Sequence, residues 1–310
     1  MICTLTINPA MDRMIYLSEF SRGNTNRIER QHDALGGKGT HVSVNLGILQ
    51  CKNRAFGIDF GETGLRIEEK LKNAYIDLGF LHYPSGNSRT NYALVEENGC
   101  CTLLSEKGKC ITREECETLL VRMDEAVEPG DILVLSGDAS NTEVPLFYIE
   151  VMDRFADRDV RIFLDSSSEN LIEGLKRSPF LIKPNEDELG QILGRRIESE
   201  TDVVEGVGRL AGMGIECIAV TCGGRGSYVW YQEELYRIHP LEVHVVNTIG
   251  CGDAFLSGMA FGFDRGLSFK ETLRCAAAVS SATAESNSTV GFSPERAAAL
   301  KDRVHIEKIV

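Results

Sequence analysis

Apolar and polar positions along the chain follow two rhythms. The runs 2–8 (ICTLTIN), 54–59 (RAFGID), 131–137 (DILVLSG), 161–165 (RIFLD), 180–185 (FLIKPN) and 217–224 (CIAVTCGG) are short and apolar, and they read as strands buried on both faces. Longer stretches with apolar residues three and four apart predict helices over 40–51, 64–75, 114–127, 145–157, 186–193, 201–213, 254–266 and 269–286. Segments 227–232 and 234–240 predict a hairpin. The alternation implies an α/β fold with a mostly parallel sheet covered by helices on both faces. Ligands bind such sheets beyond the carboxyl ends of the strands. Asn8, Asp12, Ser136, Asp165, Lys183, Asn185, Thr221 and Gly223 fall there.

Two segments break the pattern. Residues 12–35 and 89–105 read as strand pairs around the turns at Arg22-Gly23-Asn24 and Glu97-Asn98-Gly99. Together they predict a small antiparallel sheet outside the main fold, used as a lid or an oligomer contact. The alternative is extra strands on the edge of the main sheet. An exposed lid has edges that a homodimer would cover.

Length and charge narrow the picture. A chain of 310 residues fits one α/β domain over 1–310 with this appendage. A formal net charge of −13 argues against nucleic acid or an anionic membrane as partner. The ten cysteines include no CxxC pair and no spaced metal quartet, and they read as mostly buried free thiols. The start MICTLTINPA has strand character and not that of a signal peptide, and no apolar run approaches membrane-spanning length. A cytoplasmic protein is expected.

The segment Asn247-Thr-Ile-Gly-Cys-Gly-Asp253 carries the most chemistry. Gly250 and Gly252 allow a sharp turn and close approach of a ligand, and the apolar run after them predicts a helix. A glycine turn at a helix N-terminus favours an anion. Asp253 at the rim would repel a phosphate unless it has a task, such as taking a proton from an attacking hydroxyl. Phosphoryl transfer satisfies both demands; the plainer reading is an Asp that caps a helix. Gly36-Gly37-Lys38-Gly39 opens a second predicted helix in the same way. Neither cluster matches a Walker A loop or the GxGxxG dinucleotide fingerprint, which disfavours a dehydrogenase.

In this order, and with Asn8-Pro-Ala-x-Asp12, Arg89, Leu135-Ser-Gly137 and Lys183-Pro-Asn-x-x-Glu-Leu189 between them, these segments give the chain its likeness. It resembles, over nearly its full length, the ribokinase/PfkB family of carbohydrate kinases, and within it the branch of 1-phosphofructokinase and tagatose-6-phosphate kinase. The resemblance implies a ribokinase-like three-layer sandwich with a β-sheet lid. It implies ATP with Mg²⁺, and a small sugar or sugar phosphate as acceptor. Asp253 would be the general base, and the N–H groups of Gly250, Cys251 and Gly252 the anion hole. Asp12, Gly36, Gly37, Lys38 and Ser136 would hold the sugar, with Arg27 and Arg89 on a phosphate already present. Lys183, Thr221, Gly223 and Gly226 would border the nucleotide, with Ala278 and Ser281 at the adenine. Asn185 and Glu188 would organise Mg²⁺ through water.

Three departures bear on specificity. His41 stands where the family usually has Asn, and either reads sugar hydroxyls or bridges lid and core. Asp138 follows Leu-Ser-Gly and would repel a sugar phosphate nearby. Asn247 begins the glycine box where many members have Asp. A kinase of a phosphorylated ketohexose is the leading expectation. The alternatives are a kinase of a free sugar or nucleoside, and a non-catalytic sugar- or nucleotide-binding regulator.

Overall fold

The computed structural model describes residues 1–309, and all of their side chains except that of Ser168. The elements run β1 (Ile2–Thr6), β2 (Ala10–Leu17), β3 (Arg30–Gly36), α1 (Lys38–Ile48), β4 (Asn53–Phe60), α2 (Gly61–Leu71), β5 (Ile76–Tyr83), β6 (Arg89–Glu96) and β7 (Cys101–Ser105). There follow α3 (Arg113–Ala126), β8 (Ile132–Ser136), α4 (Phe147–Phe155), β9 (Arg161–Asp165), α5 (Ser168–Leu175), β10 (Leu181–Ile182), α6 (Glu186–Leu193) and α7 (Glu200–Ala211). The chain continues with β11 (Cys217–Thr221), β12 (Ser227–Tyr231), β13 (Glu234–Ile238), α8 (Cys251–Asp264), α9 (Phe269–Ala284), α10 (Pro294–Lys301) and β14 (Ile306–Lys308).

The main sheet has the order β14-β13-β12-β11-β10-β9-β8-β1-β4-β5. From β5 to β11 all neighbours are parallel; the hairpin β12–β13 and then β14 extend the sheet antiparallel. The period of two decides which layer each residue joins. Cys3, Leu5, Leu133, Leu135, Leu164, Ile218 and Val220 pack on one face with α3 to α7. Ile2, Ile132, Val134, Phe163, Cys217 and Ala219 pack on the other with α1, α8, α9 and α10. Strand order runs outward from β1 through β4 to β5, then restarts at β8 and runs the other way. The switch between β1 and β8 is where a doubly wound sheet opens a crevice.

The small sheet exists, with order β3-β2-β6-β7. It is mixed and not purely antiparallel, because its central pair β2–β6 is parallel, in register Ala10↔Arg89 and Asp12↔Asn91. A turn cannot join two parallel strands, so the register is set by the α/β unit that intervenes. Met11 and Leu35 anchor the sheet on α2 and β5 through Ile67, Leu71 and Phe80. The predicted elements are present. The pattern did not foresee β5, α5, α10 and β14; the helix expected over 64–75 ends at Leu71. Of the thiols, Cys100, Cys101 and Cys110 are exposed, whereas six others are buried and Cys251 is intermediate. No helix among the described residues is long and apolar enough to cross a membrane.

Helices α8 and α9 meet closely. A Cβ on Gly258 would overlap the Ala276 backbone, and one on Gly262 would overlap Thr272. In an open helix Gly→Ala gains about 1 kcal/mol. Here the obstacle is backbone, which does not move aside. Gly258→Ala should therefore lose about 1–3 kcal/mol by overpacking, read as a lower denaturant midpoint at unchanged slope. Equal or greater stability would show that the two helices have room to separate.

Candidate active site

Beyond the carboxyl ends of the parallel strands lies a cleft of about 1270 Å³. One end is lined by Thr6 and Asn8 after β1, Gly37, Lys38 and His41 at the start of α1, and Arg89 and Asn91 on β6. Ser136, Gly137 and Asp138, at the end of β8, close it. The other end is lined by Asn185, Thr221, Gly223, Gly226, the segment 238–245 and one face of α9. The first turn of α8 lies between the two, with Gly250, Cys251, Gly252 and Asp253 in the wall.

The α8 turn is built for an anion. Gly250 caps the helix with φ 79°, and a Cβ there would overlap the Thr289 carbonyl. The Cys251 N–H makes only a long 3.4 Å bond to the Thr248 carbonyl. Among the described residues the Gly250 and Gly252 N–H groups find no acceptor within the chain. Asn247 positions the turn: its Nδ2 donates to the Ser288 carbonyl at 3.2 Å and also to that of Ser286, and its Oδ1 accepts from the Ile249 N–H at 3.0 Å. A side-chain amide at 247 thus staples the box to the loop after α9.

Cations gather below this turn around one buried acid. Asp165 ends β9 and is 1 % exposed. Its Oδ1 takes the Lys38 Nζ at 3.1 Å and its Oδ2 faces the Lys183 Nζ at 3.4 Å. Burial pushes the Asp165 carboxyl up, yet the two lysines outweigh it and hold the group below the usual range. Burial opposes the Lys38 charge, and Asp165, Asp253 and Glu188 raise it overall. The floor of the cleft thus carries two ammonium groups paired with buried carboxylates. A Cβ on Gly252 would lie 3.2 Å from the Lys183 Nζ, so that amine touches the anion turn itself.

Asp253 is 6 % exposed, and its Oδ2 is 2.7 Å from His41 Nδ1. His41 Nε2 is 2.9 Å from the Leu35 carbonyl on β3. Of the two roles open to His41, the geometry shows the bridge between small sheet and core. At the same end Asp12 is buried, accepts from Asn91 Nδ2 at 2.8 Å, and lies on Gly36 so closely that a Cβ there would overlap it. Burial raises the Asp12 pKa. Arg89 donates through Nε to the Asn8 carbonyl at 3.1 Å, which leaves its terminal nitrogens for a ligand. Burial lowers the Arg89 pKa, and Asp138 and Asp12 oppose that loss. Asp138 shares this end and accepts from Asn8 Nδ2 at 3.3 Å. Among the described residues Thr6 Oγ1, Asn91 Oδ1 and Ser136 Oγ are buried without a partner. All three residues line the cleft, and buried polar atoms of this kind ordinarily have a partner.

Arg27 and Ala278 stand off the cleft, and Asn185 and Glu188 are partly committed to each other. Arg27 is exposed on the β2–β3 loop and does not line the cleft, so within one chain it does not converge with Arg89. A loop position gives no strand register to aim the side chain. Ala278 is 2 % exposed and packs in the core; Ala277, Ser280, Ser281 and Ala284 form the cleft face of α9. One step along a helix turns a side chain by about 100°, enough to move Ala278 off the face centred on Ala277, Ser281 and Ala284. Asn185 and Glu188 cap α6 reciprocally: Asn185 Oδ1 accepts from the Glu188 N–H and Glu188 Oε2 from the Asn185 N–H, both at 2.8 Å. Each therefore has one oxygen committed. The remaining Glu188 oxygen is 3.8 Å from the Lys38 Nζ. A free carboxylate oxygen beside the ammonium floor suits a hard ion that keeps most of its water, but not an all-protein metal cage. Asp165, Asn91 and the 238–245 wall were not assigned roles by sequence reasoning. Only the strand-end position of Asp165 hinted at one.

Residues 6–296 match the pfkB family carbohydrate kinase model. The chain is 30% identical over 284 residues to 1-phosphofructokinase of Bacillus subtilis (strain 168), covering 92% of each. It is 29% identical over 265 residues to tagatose-6-phosphate kinase of Staphylococcus epidermidis, covering 84% of this chain and 85% of that one. Phosphofructokinase-2 from Escherichia coli, solved in complex with substrates and products, shares the fold with a TM-score of 0.90 at 22% identity, over 97% of this chain and 98% of that one. Kinases of this family use ATP with Mg²⁺. A carboxylate beside an anion-binding helix start, a cleft of strand-end polar groups and the family match lead to one conclusion: the chain belongs to the PfkB family of carbohydrate kinases, phosphotransferases that act on a sugar hydroxyl.

Proposed function

We propose that the protein phosphorylates a phosphorylated ketohexose of the fructose 1-phosphate or tagatose 6-phosphate type, with ATP as donor and Asp253 as general base. The observation that carries this reading is the juxtaposition of Asp253 with the free N–H groups of the α8 turn. The acceptor hydroxyl gives its proton to Asp253 Oδ1 as it attacks the terminal phosphorus of ATP, the bond from that phosphorus to the bridging oxygen breaks, and ADP leaves. The N–H groups of Gly250, Cys251 and Gly252, with Lys183 and Lys38 beneath, receive the charge that develops. Sugar hydroxyls bind the orphan atoms of Thr6, Asn91 and Ser136, with Gly37 and Asp12 beside them. The terminal nitrogens of Arg89 take the phosphate carried by the sugar. Thr221, Gly223 and Gly226 border the nucleotide, and the Ala277–Ser281 face of α9 borders the base. Asn185 and Glu188 would hold Mg²⁺, which would supply further charge neutralisation.

The small sheet is the lid in this reading. It contributes Arg89, Asn91, Leu103 and Ser105 to the cleft wall, so its closure excludes water from the transfer. Its exposed strand β7, with Leu104 53% exposed, is the face a second copy would cover.

Asp138 favours a second reading. It puts a carboxylate at the sugar end, where Arg27 does not reach the cleft to oppose it. A free sugar or nucleoside would not meet that repulsion. ADP release with MgATP across matched free and phosphorylated ketohexoses separates the two. Activity confined to phosphorylated members supports the first reading, and activity confined to free ones the second.

Two substitutions test the assignments. Asp253→Asn keeps shape and removes the base; kcat should fall by about 10²–10⁴-fold with ATP affinity retained. Near-normal turnover would sink the role. Arg89→Ala should raise KM for the sugar phosphate by about 10- to 100-fold, the worth of a charge-assisted hydrogen bond, and leave KM for ATP little changed. Equal effects on both substrates would remove Arg89 from the phosphate.

A further inference from the structure

The contacts of His41 place a strict demand on its protons. Its side chain is buried, with Nδ1 2.7 Å from Asp253 Oδ2 and Nε2 2.9 Å from the Leu35 carbonyl oxygen. A carbonyl and an ionised carboxylate only accept. A neutral imidazole has one N–H. Either neutral tautomer therefore sets a nitrogen lone pair against an oxygen lone pair, at Leu35 in one case and at Asp253 in the other. Two donors are needed, and the imidazolium is the form of the ring that has them.

The surroundings support that charge. Asp253 and the Cys251 thiol face the ring's neighbourhood from α8, Asp12 from β2, Arg89 beside Asp12 from β6, and Lys38 near Asp253 from α1. β3 presents the Leu35 carbonyl, which also accepts from Thr289 Oγ1 at 3.2 Å. Burial works against a charged ring. The hydrogen bond and charge of Asp253, with Asp12 and the Leu35 carbonyl, outweigh it and raise the His41 pKa.

We propose that His41 is a proton-dependent positioning residue: as imidazolium it clamps Asp253 Oδ2 to the small sheet through Leu35, and so presents Oδ1 to the acceptor hydroxyl. This rests on the reading of Asp253 as the base. The clamp joins the base to β3, one strand of the sheet that also carries Asp12. Its bonds make the base's orientation depend on both the position of that sheet and the proton on the ring. The sign follows from the direction of the shift. A His with a folded pKa above its unfolded value of about 6.5 stabilises the fold fully below that unfolded value. The stabilisation disappears as pH rises through the folded value. Above it the ring keeps a single N–H, so either the bond to Asp253 or the bond to the Leu35 carbonyl is lost, the clamp opens, and turnover falls on the alkaline side.

His41→Asn supplies one short amide in place of two opposed donors. It should lower kcat by about 10- to 100-fold near neutral pH, one charge-assisted hydrogen bond, and abolish the alkaline limb of the kcat profile. A purely structural histidine would change stability and leave the profile's shape alone. A second readout needs no substrate: nitrogen-15 NMR of the His41 ring in the free protein. Protons on both ring nitrogens at pH 7, with one lost at a pH above the ordinary histidine range, together with a missing alkaline limb in His41→Asn, support the proposal. A singly protonated ring at pH 7, or an alkaline limb that survives in His41→Asn, overturns it. If no sugar substrate is found, the proposed function fails while the ring spectrum still decides the protonation of the clamp.

Discussion

The structure turns on a buried carboxylate placed where an anion must also bind. A helix start attracts phosphate, and Asp253 in the first turn of α8 repels it. Its negative charge is tolerable because of what surrounds it. His41 engages one oxygen at 2.7 Å, and Lys38 and Lys183 share Asp165 below the turn. The effect is a floor of two ammonium groups with one Asp253 oxygen left at its rim. Phosphoryl transfer asks for that combination, because charge must be received and a proton removed at neighbouring points.

The fold supplies this arrangement by packing. Asp253 is held in place by α8, and α8 is held by α9 across glycines that leave no room for a Cβ. The lysines and Asp165 arrive at the ends of separate parallel strands and the first residue of α1, as a doubly wound sheet allows. The small sheet reaches the same place from the opposite side. Through Leu35, Asn91 and Arg89 it touches His41, the buried Asp12 and the Asn8 carbonyl at the cleft.

Much of this was legible in the sequence, for reasons that can be named. The strands at 131–137, 161–165 and 217–224 are apolar on both faces, a pattern that only a covered parallel sheet explains. The glycine box shows its turn and its helix together. What stayed hidden is tertiary. Ala278 and Ala277 differ by one helical step, and only the packing of α9 decides which meets the cleft. Asn185 and Glu188 read as metal-organising residues, yet their spacing is also that of a capping box, and the structure commits one oxygen of each to that bond. The partner of His41 lies 212 residues away in sequence, and no local pattern announces it. β5, with Asp77 and Gly79 inside it, lacks the clean apolar run that marked the other strands.

The central claim is that the transferred group is received at the start of α8 with Asp253 on the acceptor side. A structure with ADP, the sugar acceptor and a planar metal fluoride in place of the moving phosphoryl group tests it most directly. The account predicts fluoride ligands about 2.7–3.1 Å from the Gly250 and Gly252 N–H groups, the spacing of a working anion hole, and Asp253 Oδ1 against the acceptor hydroxyl. A fluoride seated away from that turn, or an Asp253 carboxylate facing away from the hydroxyl, would contradict it.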